Sequence, residues 1–262
     1  MEYKNIAVDK KGGIAFLILN RPEVNNMLSR EMFAEIVQSL EELDADDEVR
    51  LIIVKGAGDN FCVGADVAEI VGLDEVGCRN FFHGLSEMYK TFHRIDKVII
   101  AMVHGYCTAG GMGIASSCDL IVTSEDAQFG ATAVKVGLFC MPVSAVMLPQ
   151  IVGGKKALGL ALTGDLIDGR EAERLGIVNM AVPKDRLESA TMELAEKILS
   201  RSPVSIVMGK RNFYACADMG FDEGLDYSAE MFAALAATGG AKEGMKVFLG
   251  KRKPSYKRAG SG

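Results

Sequence analysis

Short apolar runs alternate with stretches of helical rhythm through the first 125 residues. Ile14–Asn20 (IAFLILN) is apolar up to its last residue and stops at Arg21-Pro22, the pattern of a buried strand and its turn. Ser29 is placed to N-cap a following helix in which Phe33, Ile36, Leu40 and Leu43 recur at helical spacing. The acidic cluster Asp44–Glu48 closes that helix and leads into a second apolar strand, Leu51–Val54. After a glycine-rich loop (GAGDNFCVGAD) comes a helical stretch near Cys78–Arg94, then a third buried strand at Val98–Val103 and a fourth at Leu120–Val122. Repeated strand–helix–strand units with strands apolar on both faces predict right-handed βαβ connections and parallel pairing. The fold class is therefore α/β. From Lys155 the pattern is helical: Lys155–Thr163, Arg170–Leu175, Arg186–Leu199, Pro203–Ala217 and Phe221–Ala237, with Gly164, Gly169, Gly176 and Pro183 as punctuation.

Composition narrows the class. A chain of 262 residues with 49% hydrophobic and 24% charged residues has the make-up of a globular protein, not of a disordered one. A net charge of −6 argues against a nucleic-acid binder, which needs a basic face. The apolar runs, Val98–Val103 being typical, fall far short of the roughly 18 residues that span a bilayer. The N-terminus has no basic stretch followed by an apolar one, so the cytoplasm is the expected location, with no membrane association. The six cysteines are scattered singly, and neither a CxxC nor an HxxxH spacing occurs, so no disulfide framework and no metal site are expected.

Two glycine-rich loops carry the candidate chemistry. The first, Asn60-Phe61-Cys62-Val63-Gly64-Ala65-Asp66, follows the Leu51–Val54 strand. The second, Gly105–Gly113 (GYCTAGGMG), lies between the Val98–Val103 strand and a short helix. Small residues let a ligand approach the backbone, and a helix N-terminus presents unpaired N–H donors. Two such loops can aim two N–H groups at one oxygen, forming an oxyanion hole for charge developing on a carbonyl. The same glycines also suit tight turns that simply pack. A P-loop and a dinucleotide fingerprint are both absent.

Several longer segments share a pattern: LNRPEVNNMLS (Leu19–Ser29), FCVGADVAEI (Phe61–Ile70), AMVHGYCTAGGMGIASSCDLIV (Ala101–Val122), AQFGATAVKVGLF (Ala127–Phe139), ALTGDLIDGREAERLGIVNMAVP (Ala161–Pro183) and the closing FLGKRKP. With these, the chain resembles the crotonase superfamily, the enoyl-CoA hydratase/isomerase group, over nearly its full length. The resemblance implies a spiral of ββα and βαβ units at residues 1–200. It also implies a C-terminal helical trimerisation layer at 201–262, the two forming one continuous family domain. It implies an acyl-CoA thioester as ligand, CoA being part of the substrate and no separate cofactor being needed, and a homotrimer or homohexamer. Apolar residues on the Phe221–Ala237 helix (Phe221, Leu225, Met231, Phe232, Leu235) fit such an assembly. Carried over by position, the oxyanion-hole N–H groups belong to Ala65 and Gly110, with Gly111 beside the second. Val63, Gly64, Asp66 and Val67 would follow the adenine and pantetheine. The turn at Arg21–Val24, including Glu23 and Val24, would flank the CoA, and Lys251, with Lys253, would face its phosphates.

The departures matter as much as the matches. Hydratases of this group place two glutamates across the thioester as general base and general acid. The first falls here on Gly113 and the second on Ala133, with Thr132 where the accompanying proline stands. A dehalogenase-type aspartate would fall near Met141. The remaining polar candidates are Asp66, expected to be structural, Glu69 and Glu87, expected to be solvated, and His83 and Cys140. The expectation is an acyl-CoA-metabolising enzyme, a lyase or isomerase of fatty-acid type, with unconventional proton-transfer groups. Alternatives are a hydratase for an unusual substrate such as a cyclic dienoyl-CoA, admitted by a pocket that the missing glutamates enlarge, an acyl-CoA thioesterase, and a non-catalytic acyl-CoA-binding protein.

Overall fold

The computed structural model describes residues 3–250. Among the described residues, 3–95 and 99–192 form one unit, and 96–98 with 193–250 form a second. In the first unit β1 (Ile6–Lys11) and β2 (Ile14–Leu19) make a hairpin, and α1 (Arg30–Ala45) leads to β3 (Leu51–Gly56). Then follow α2 (Val67–Ile70), α3 (Glu75–Arg94), β4 (Val98–Val103), β5 (Tyr106–Thr108), α4 (Gly110–Ser117), β6 (Leu120–Ser124) and β7 (Gln128–Gly130). A π-helical turn at Pro142–Met147 precedes α5 (Leu148–Val152), α6 (Gly154–Thr163), β8 (Ile167–Asp168), α7 (Gly169–Arg174), β9 (Met180–Val182) and α8 (Leu187–Leu199).

The larger sheet has the order β1-β2-β3-β4-β6-β9, and the smaller β5-β7-β8. The pairs β2–β3, β4–β6 and β6–β9 are parallel, as the βαβ rhythm predicts. The hairpin partner β1 is antiparallel to β2 and was not legible as a strand. Its residues IAVDKK grow more exposed along the strand and end in charges, the pattern of an edge strand. Every residue of β4 is buried, so its unbroken apolar run is the signature of a strand covered on both faces.

The helices over the sheet form for local reasons. Ser29 caps α1 by accepting from Met32 N at 3.2 Å, and Phe33, Ile36, Leu40 and Leu43 are all buried. Asp74 caps α3 by accepting from Gly77 N at 2.7 Å. The apolar stripe of α3 (Phe81, Leu85, Met88, Tyr89, Phe92) is buried, and Phe81 meets Phe33 edge to face with centroids 5.0 Å apart. In the second unit α9 (Pro203–Cys216), α10 (Phe221–Ala237) and α11 (Gly239–Leu249) pack together, with Ser202 and Thr238 as N-caps. Among the described residues, no helix is long and apolar enough to cross a membrane.

Candidate active site

The two glycine loops are knitted together as short strand segments. Phe61 N donates to His104 O at 2.9 Å, Cys62 N to Tyr106 O at 3.0 Å and Thr108 N to Cys62 O at 3.0 Å. The Thr108 hydroxyl donates to Val63 O at 3.0 Å. On its other side the first loop is held by the turn after β2. There the fully buried Asn26 amide donates to Ala57 O, Asn60 O and Phe61 O at 2.8–3.1 Å. Asn25 and Asn26 both take left-handed backbone conformations, which asparagine tolerates better than most residues. Leu28 completes the clamp: its N–H donates to Gly64 O at 2.8 Å and its carbonyl accepts from Asp66 N at 3.0 Å.

That last pair of bonds sets the direction of the first donor. In a parallel bridge Leu28 bonds the residues on either side of Ala65, so the Ala65 N–H points away from Leu28. It points toward the second loop. A Cβ on Gly110 would stand 3.4 Å from Ala65 N, and a Cβ on Gly64 would stand 3.2 Å from Gly110 N. Gly64 sits at φ +115, a region that side chains rarely enter. Gly111 backs onto Cys62, and a Cβ there would stand 2.7 Å from the Cys62 carbonyl carbon, so this close approach admits only glycine. Among the described residues, neither the Ala65 nor the Gly110 N–H has an acceptor. Gly110 opens α4, where the first N–H groups lack intrahelical partners and the helix dipole favours negative charge. Ala109 before it is held at φ 48, ψ −116, a strained entry for a residue with a side chain.

The other positions singled out by sequence fall into separate surroundings. Asp66 is buried and pairs with Arg21 at 3.1 Å, while the Arg21 guanidinium also donates to Met27 O at 2.5 Å. This pair braces the turn that carries Glu23, which is exposed, and Val24, which is half-buried. Val63 is half-buried and Val67 exposed at the start of α2. Lys251 and Lys253 lie outside the described residues. Glu69 is committed to Arg30 at 2.5 Å, and Glu87 to Arg94 at 2.5 Å with Lys90 at 3.8 Å. His83 is exposed on α3. Asp66, Glu69 and Glu87 are thus each held by a cation.

Gly113 differs from what its sequence suggests. No room is left by its missing side chain, because a Cβ there would overlap the Tyr89 hydroxyl and lie 2.5 Å from its ring carbon Cζ. Tyr89 is buried, and its hydroxyl donates to Gly110 O at 3.0 Å. Burial raises its pKa well above 10, reinforced by nearby Cys140, Cys62 and Cys107, so it remains a proton-bearing donor. Burial likewise pushes the Cys140 thiol up to about 11, against a smaller lowering from the Ala133 backbone. Tyr89 and Cys140 thus stand beside Gly113 and Ala133, where the resemblance would put carboxylates. Sequence reasoning passed over Tyr89 as one more position of an apolar stripe. The available signal was that a buried tyrosine hydroxyl needs a partner.

An α/β fold whose loops bring two N–H groups without acceptors together at a helix N-terminus has the means to polarise a carbonyl oxygen. The family model for enoyl-CoA hydratase/isomerase matches residues 9–259, and the chain belongs to that family, the crotonase superfamily. A Thermus thermophilus relative is 39% identical over 251 residues, covering 94% of this chain and 98% of its own. A crotonyl-CoA hydratase of Syntrophomonas wolfei is 31% identical over 257 residues, covering 98% and 99%. The solved structure of a Mycobacterium smegmatis enoyl-CoA hydratase superposes with a TM-score of 0.94 at 29% identity, covering 97% of this chain and 99% of that one.

Proposed function

We propose that this protein binds an acyl-CoA thioester with its carbonyl oxygen between the N–H groups of Ala65 and Gly110, and stabilises the enolate or oxyanion that forms there. The observation that carries the reading is the convergence of two N–H groups without acceptors, one set by the Leu28 bridge and one by the α4 N-terminus. Each such donor contributes about 10²–10³ in rate when aimed at developing charge. Gly64, Gly111, Val63, Val67 and the Glu23–Val24 turn form the walls along which the CoA runs.

In this reading the reaction is of the lyase or isomerase kind, and its proton transfers do not use the paired carboxylates of a hydratase. Asp66, Glu69 and Glu87 are held by arginines and lysine, and positions 113 and 133 carry no side-chain acid. The volume at Gly113 is filled by Tyr89, which removes the argument that a missing glutamate opens space for a cyclic acyl group. Titration calorimetry with butyryl-CoA tests the binding step. Saturable heat supports it, and no heat at millimolar ligand overturns it. Mass spectrometry over a panel of acyl-CoA thioesters then separates an enzyme from a binding protein. We also propose a trimer or dimer of trimers, built on exposed apolar side chains of α9 and α10 such as Phe213, Phe221 and Phe232.

A further inference from the structure

We infer that Tyr89 is a positioning residue of the oxyanion hole: its hydroxyl holds the carbonyl of the Gly110–Gly111 peptide and so restrains the Gly110 backbone next to the Ala109–Gly110 peptide that carries the N–H. This inference rests on the proposed role of Ala65 and Gly110. The peptide that carries the Gly110 N–H begins at Ala109, whose backbone is in a sparsely populated region. A strained conformation persists only where its surroundings over-determine it. Three anchors do so here. Ala109 N donates to Gly130 O at 2.8 Å, Ala109 O accepts from Gly113 N at 3.2 Å, and Gly110 O accepts from the Tyr89 hydroxyl at 3.0 Å. The first two use main-chain groups. Tyr89 alone among the three is a side chain, and it reaches α4 from α3, a separate element, across a buried contact.

The same ring decides what can stand on α4. With Tyr89 in place, position 113 accepts no side chain, since a Cβ there meets Cζ at 2.5 Å and Cε1 at 2.9 Å. Tyrosine at 89 and glycine at 113 are therefore a matched pair. The pair substitutes a rigid neutral donor on the backbone for an acid in the site.

The carbonyl stretch of bound butyryl-CoA, labelled with ¹³C at the thioester carbon and read by difference infrared spectroscopy, tests this without needing turnover. Polarisation by two donors lowers the band relative to free ligand. Tyr89→Phe keeps the ring and removes only the hydroxyl. The band is expected to recover about half of its lowering, with affinity by calorimetry changed less than threefold. On any acyl-CoA that is turned over, kcat falls about tenfold at unchanged KM, less than the 10²–10³ for deleting a donor outright. Ser117→Ala is the control: it removes a hydroxyl bond to Gly113 O at 2.8 Å in the same helix and should leave the band in place. Should Tyr89→Phe fail to fold, site-specific 3-fluorotyrosine at 89, a stronger donor of nearly the same shape, should lower the band further. A wild-type band at the free-ligand frequency overturns the oxyanion-hole reading itself. A lowered wild-type band that neither substitution moves overturns only the role of Tyr89.

Discussion

Gly113 shows how much a single residue's meaning depends on its neighbour. By the resemblance it stands where a hydratase carries glutamate, and by structure it is the floor against which Tyr89 closes. Restoring glutamate there meets the tyrosine ring before it meets substrate. Gly113→Ala is expected to lower unfolding free energy by about 1–3 kcal/mol, the usual range for overpacking a filled core. The same substitution in a Tyr89→Leu background should cost measurably less, a coupling that urea titration of the four variants reads directly. Additive costs would show that the two positions do not compete for space. The two proposed donors, Ala65 and Gly110, come from the family resemblance carried over by position onto the two glycine loops. The residues that hold them were not. Asn26 acts through three bonds and Tyr89 through one, all to main-chain carbonyls of segments more than 20 residues away, and such bonds leave no local sequence pattern.

At the level of elements, the long buried strands and most helices followed from periodicity, while α2, α5 and α11 did not. Helix Phe221–Ala237 and strand Val98–Val103 fall on their expected bounds, and others differ by one to three residues at their ends. The strands that were missed, β1, β5, β7, β8 and β9, are edge or very short segments with too few residues to show a period. They include β5, which knits the two glycine loops together, so part of the site's scaffold was invisible in the same way. The entry to α4 is the element-scale feature that bears most on function. Ala109 is strained at φ 48, ψ −116, a geometry glycine adopts freely. Relief of strain of about 1–3 kcal/mol, less roughly 1 kcal/mol for the greater freedom of glycine in the unfolded chain, predicts that Ala109→Gly stabilises by about 1 kcal/mol. Thermal unfolding checks this. A lowered midpoint would show that the Ala109 methyl, which faces Gly64, contributes more by packing than its backbone costs.

The whole molecule buries four of its thiols, Cys62, Cys107, Cys118 and Cys140. Desolvation raises Cys62 from 9.0 to about 12 and Cys140 from 9.0 to about 11, and moves Cys107 and Tyr89 up as well. Above pH 9 the unfolded chain releases these protons while the native state retains them. Stability is therefore intact below pH 9 and falls as pH rises through 11 and 12, by up to about 1.4 kcal/mol per pH unit for each group. Chemical denaturation at pH 8, 9 and 10 should show the decline beginning near 9, and Cys62→Ala/Cys140→Ala should flatten it. A pH-independent midpoint over that range would contradict the assigned burial. Catalysis is the other property of the whole. In the proposed function this protein polarises a thioester carbonyl without the paired acids that add water to an enoyl group. One positioned acid–base group is worth about 10²–10⁴ in rate. Hydration of crotonyl-CoA, followed by loss of the enoyl absorbance, tests this most directly. The account predicts turnover several orders of magnitude below the roughly 1–10³ s⁻¹ common among enzymes, with binding intact. Hydration within that range by the unmodified protein would contradict it.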